Sequence, residues 1–101
     1  MTKKRIYEEI GWFYFEKNKY NIKKTNEEIQ SLCITDVSLK DNELKIETAR
    51  PGLLIGFHGE NFEKLSNYLK EKLERKFHLL IIENQEISYL YNYQYTQSFF
   101  D

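Results

Sequence analysis

A single cysteine, Cys33, excludes an internal disulfide, and a lone thiol fits a reducing, cytoplasmic setting. No apolar run is long enough to span a membrane, and the N-terminus has no signal-type apolar core, so no membrane partner is expected. Charge of one sign is also lacking. The formal net charge is −1, so no global basic field draws in nucleic acid. There are two histidines, His58 and His78, and neither has a cysteine or acid at ligand spacing. No Gly-Lys-Ser/Thr follows the glycines, which excludes a nucleotide phosphate loop. Ser66 and Ser88 have no evident activating base. The sequence therefore points to no catalytic residue, no metal, no cofactor and no enzyme.

Proline and glycine are scarce as well, and their placement carries information. The one proline, Pro51, and three of the four glycines, Gly52, Gly56 and Gly59, stand close together. What is abundant is aromatic surface, at 16% of the 101 residues, enough for a modest core in one domain. Charge is unevenly spread. Residues 1–24 carry seven Lys/Arg against three Glu, and residues 64–76 carry five against two acids. Between them, residues 25–49 carry two against six. Two basic zones thus flank an acidic one.

Taken in order, residues 3–18 read as a helix with Ile6, Ile10 and Phe13 on one face and Tyr7 and Tyr14 beside it. Trp12-Phe13-Tyr14-Phe15 cannot all share that face, so one or two must lie at the surface or under another segment. Residues 18–24 read as a polar linker. Thr25-Asn26-Glu27-Glu28 matches a capping box and predicts a short helical turn through Ser31. Residues 33–39 and 43–48 read as strands joined around Asp41-Asn42, and Ile34, out of phase with Val37 and Leu39, suggests a bulge or a late start. Residues 60–76 read as the best helix, with Phe62, Leu65, Leu69 and Leu73 as its stripe, and Arg75 and Lys76 in its last turn. Leu79-Leu80-Ile81-Ile82 is expected to be a strand covered on both faces. A strand, two helices and a returning strand imply a right-handed crossover with parallel strands. After a polar break at 83–86, Tyr89, Tyr91, Tyr93 and Tyr95 alternate with Leu90, Asn92 and Gln94, which predicts an extension that buries an aromatic face.

The chain is organised around residues 48–65, Thr-Ala-Arg-Pro-Gly-Leu-Leu-Ile-Gly-Phe-His-Gly-Glu-Asn-Phe-Glu-Lys-Leu. Arg50-Pro51-Gly52 stops a strand, and Leu53-Leu54-Ile55 has room for one helical turn. Gly56-Phe57-His58-Gly59 is then a tight turn before a helix starting at Glu60 with open N–H groups.

This run resembles the K-homology (KH) domain, whose marker is Ile-Gly-x-x-Gly between two helices. Here the marker is Ile55-Gly56-Phe57-His58-Gly59, flanked by Thr48 to Gly52, Glu60 and Leu65, similar to the bacterial, type II form found in a small-subunit ribosomal protein. The resemblance covers residues 32–84. It implies an α+β fold, a three-stranded mixed sheet packed against helices, spanning residues 1–86 with the N-terminal helix included. Residues 87–101 would be a Tyr/Phe-rich extension outside it. It also implies binding of single-stranded RNA or DNA, with phosphates at the turn and bases in a groove floored by Leu54, Ile55 and strand side chains. The residues that fall in the matching positions are Arg50, Leu54, Ile55, Gly56, Phe57, His58, Gly59, Glu60, Asn61 and Lys64. The family usually carries Lys or Arg in the turn, whereas this chain has Phe57, which can stack on a base, and His58. A competing reading makes the chain an interaction module that meets a protein, or a second copy, through its aromatic surface.

Overall fold

The computed structural model describes residues 1–86. Helix α1, Lys3–Lys17, begins at Thr2, whose hydroxyl caps the Arg5 N–H. Its inward face is Ile6, Ile10, Phe13 and Tyr14, so the aromatic quartet splits. Phe13 and Tyr14 enter the core. Trp12 is 52% exposed, and Phe15 packs edge-on between Trp12 and Tyr20.

Residues 18–24 are not wholly a linker. Helix α2 spans Ile22–Leu32 and starts at Asn21, whose side chain accepts from the Lys24 N–H at 2.9 Å. Thr25 is not a cap. It is buried, and its hydroxyl donates to the Asn21 carbonyl at 2.7 Å. The helix starts one turn earlier than the Thr25 box implies, so Asn21 caps it and the N–H groups after Thr25 fall inside it. Glu28 ties α2 back to α1, accepting from Lys17 at 2.6 Å and Asn18 at 2.8 Å.

Strands β1, Ile34–Lys40, and β2, Glu43–Thr48, pair antiparallel through Asp41-Asn42. Both turn residues have positive φ, 52° and 63°, as a two-residue hairpin of the right twist needs. The register shifts between Ile34 and Asp36, the irregularity that the phase of Ile34 suggested. Helix α3 is Pro51–Ile55 and helix α4 is Glu60–Leu73. Strand β3, His78–Glu83, pairs parallel to β2, giving the sheet order β1-β2-β3 and a mixed three-stranded sheet. This is the α+β architecture that the sequence implied.

Val37, Leu44, Ile46 and Leu79 on one sheet face, the inward face of α1, and Leu65, Leu69 and Leu73 of α4 form one core. Each fully buried Leu or Ile contributes roughly 1.5–3 kcal/mol. Two expectations fail here. α4 stops at Leu73, where Glu74 takes a left-handed cap with φ 53°, so Arg75 and Lys76 lie beyond it. Lys70 and Lys72 occupy its last turn instead. Among the described residues, β3 is also not covered on both faces. Leu80 and Ile82 remain 37% and 39% exposed, on the face opposite Leu79. The predicted aromatic extension, residues 87–101, lies outside the described residues.

Candidate nucleic-acid interface

The strand end that leads into the turn is anchored first. Buried Thr48 donates its hydroxyl to the Leu32 carbonyl and accepts the Arg50 N–H at 3.0 Å. The Ala49 N–H reaches the Cys33 carbonyl at 3.1 Å. β2 thus ends against the end of α2. Pro51 then starts α3, where its missing N–H costs nothing.

The four residues Gly56–Gly59 reverse the chain between α3 and α4. Gly56 has φ 76° and ψ 175°, a region open in practice only to glycine. A Cβ there would lie 2.7 Å from the Cβ of Asn61. Gly59 has φ 73°, also left-handed. His58, at φ 55°, holds a left-handed conformation without being glycine. Within the turn, the Gly56 N–H donates to Gly52 O at 2.9 Å and the Gly59 N–H to Gly56 O at 3.2 Å. The Glu60 N–H donates to the Phe57 carbonyl, and among the described residues Gly59, which precedes α4, supplies no side-chain cap.

Most of the sequence-derived site residues come together here. Phe57 stands out, 81% exposed, with its ring edge-on to His58 at 4.0 Å between centroids. Ile55 is partly exposed at the end of α3. Lys64 lies one turn into α4 and pairs with Glu60 at 2.9 Å. That bond, with the lysine's charge, holds the Glu60 carboxyl below its ordinary pKa. Both side chains are mainly exposed, so the pair is weak.

Three candidates play other parts. Leu54 is fully buried and belongs to the core, so it supports the turn from beneath. Arg50 is at the opposite end of α3, beside Glu28, Ser31 and Leu32. Asn61 faces inward: its amide nitrogen donates to Leu54 O at 2.8 Å and to the Tyr14 hydroxyl oxygen at 3.0 Å. Tyr14 has no sequence signal linking it to the turn, because its helical phase placed it only beside the core face of α1. Burial pushes its hydroxyl up to about 12, so it stays neutral beside the amide.

A depression of about 630 Å³ borders the turn, between α1 and α4. It is lined by Phe13, Leu53, Phe57 and Tyr68, with Lys17 and Lys64 set against Glu16 and Glu60, and by no strand residue. Tyr68 is pushed up to about 12 by burial first and then by nearby Glu16, Glu9 and Glu71. Those acids offset the two lysines on this side, and α4 itself carries Glu60 and Glu63 in its first turn. Among the described residues, no cluster of three His, Cys, Asp or Glu could hold a metal ion, and no helix is long and apolar enough to cross a membrane.

No protein-family model matches the chain. Over 80 residues it is 35% identical to small ribosomal subunit protein uS3c of Mesostigma viride, a match covering 73% of this chain and 38% of that protein. The chain thus spans well under half the length of that relative. The helix–turn–helix between β2 and a parallel β3, in a mixed sheet backed by α1, agrees with this likeness. The described residues form a type II K-homology-like domain, and the chain is similar to a small ribosomal subunit protein.

Proposed function

We propose that this domain is a non-enzymatic binder of single-stranded RNA, and that its partner class is ribosomal RNA. The observation that carries the reading is the turn itself. Two glycines at positive φ, without side chains to block an approach, stand immediately before the start of α4, which has no side-chain cap at Gly59. Such a surface lets a phosphate approach the backbone closely and meet the positive end of the helix dipole without any basic side chain. Phe57 supplies an exposed ring for stacking on a base, and stacking contributes roughly 1–3 kcal/mol per base. Ile55 offers apolar contact, and Lys64 a cation one helical turn from the loop. Similarity to a small ribosomal subunit protein supports RNA over DNA. A titration with random single-stranded RNA at two salt concentrations tests this. Affinity should fall as salt rises, since phosphate contacts release counterions. Absence of binding at low salt would refute it.

A second reading has its own observation. Between α1 and α2, Trp12, Phe15, Ile22 and Ile29 line an open apolar groove of about 300 Å³, and Ile22 is 67% exposed. A patch of this kind fits a protein partner or a second copy of the chain. Self-association without RNA binding would favour it.

A further inference from the structure

We infer that Asn61 and Tyr14 form a latch that sets the shape of the Gly56–Gly59 turn, making α1 part of the binding device. This rests on the RNA-binding reading of the turn and assigns Asn61 to positioning and not to contact with RNA. Three measurements meet at this residue. One hydrogen of its amide is committed to the Leu54 carbonyl, at 2.8 Å, just before the turn. The other goes to the Tyr14 hydroxyl oxygen in α1, at 3.0 Å. Its Cβ lies where any side chain on Gly56 would have to be, 2.7 Å from an added carbon.

The consequences follow from hydrogen-bond chemistry. α3 has only five residues, and its last carbonyls have no helical partner. Asn61 satisfies one of them from the far side of the turn, so the end of α3 and the start of α4 are cross-linked through one amide. The planar amide cannot swing freely, because its second hydrogen is held by a tyrosine that is fully buried. Tyr14 in turn is fixed by the Phe13 ring, edge-on at 5.0 Å, and by Lys17 over its own ring at 5.3 Å. Displacing α1 therefore moves the amide, and with it the spacing of the two turn glycines. A pre-set turn loses less conformational freedom when it takes up a phosphate, which is the source of its effect on affinity.

The test uses Tyr14→Phe and Asn61→Ala in the full chain, with two readouts at a temperature well below unfolding. Tyr14→Phe keeps the ring and removes only the acceptor. Amide hydrogen exchange at Gly56 and Gly59 should quicken about tenfold in both variants, while exchange in the β1–β2 ladder stays unchanged. RNA affinity should fall about three- to tenfold in variants that circular dichroism shows to be folded. A merely structural role would leave the affinity of the folded fraction untouched. Unchanged exchange at both glycines overturns the latch. So does faster exchange with unchanged RNA affinity. If the wild-type chain binds no RNA, the functional reading falls, and exchange alone then decides whether the latch exists.

Discussion

Replacing Gly56 by alanine separates the two demands made on the turn, and Gly59→Ala is its control. At Gly56 an added Cβ meets the Asn61 Cβ at 2.7 Å and its backbone nitrogen at 3.1 Å, in a φ, ψ region that alanine rarely enters. Strain of this backbone type costs on the order of 1–3 kcal/mol. Overpacking adds about 1–3 kcal/mol, and it cannot relax cheaply because Asn61 is held at both amide hydrogens. At Gly59 nothing lies within 4 Å of the added carbon, and only the left-handed backbone cost remains, about 1–2 kcal/mol. Urea unfolding of the three proteins should show a loss for Gly56→Ala about two or three times that for Gly59→Ala. For a domain of this size each kcal/mol moves the thermal midpoint about 4–8 °C, so the two variants separate clearly. Equal losses, or a smaller one at Gly56, would refute the close approach of Asn61 to the turn.

Other outcomes follow from single contacts. Thr48→Val removes a buried hydroxyl that serves both the Leu32 carbonyl and the Arg50 N–H, and thermal unfolding should show a loss of about 2–4 kcal/mol. Stability should also fall at alkaline pH. Tyr14 is raised to about 12 from 10.0, so its contribution is full below pH 10 and is lost as pH climbs through 12. The loss is on the order of 2 kcal/mol, and Tyr14→Phe should flatten that part of a stability–pH curve. Tyr89 to Tyr95, outside the described residues, are proposed to pack on the domain or on a second copy, because burying each large aromatic is worth roughly 1.5–3 kcal/mol. Deleting 88–101 should lower the melting temperature or dissociate an oligomer seen by sedimentation.

How far the sequence could be read depended on whether a signal was local. The α4 stripe, the β2 alternation and the glycine pair are all short-range patterns, and each formed where its period placed it. The end of α4 was not readable because Glu74, and not a glycine, takes the left-handed cap. The start of α2 was missed because the Thr25 box resembled a cap, whereas the cap is Asn21, four residues earlier in a stretch read as a linker. The apolar run of β3 suggested two covered faces, yet among the described residues β3 is the last strand of the sheet, and Leu80 and Ile82 stay partly exposed beside Lys45 and Glu47. At the site, Phe57 and His58 were legible from the turn. The burial of Leu54 and the bond from Asn61 to Tyr14 depend on how α1 packs, which no local pattern encodes.

The most direct measurement is RNA affinity of the double variant Phe57→Asp with His58→Asp, against wild type, at one salt concentration. Both positions are exposed, and acids near a helix N-terminus are tolerated or favoured, so the variant should fold. Two carboxylates beside the turn would then meet the phosphates. Repulsion of about 3 kcal/mol lowers affinity about a hundredfold, at roughly tenfold per 1.4 kcal/mol. A folded variant weakened by that much supports phosphate binding at Gly56–Gly59. A folded variant that binds as tightly as wild type would remove the turn from the interface.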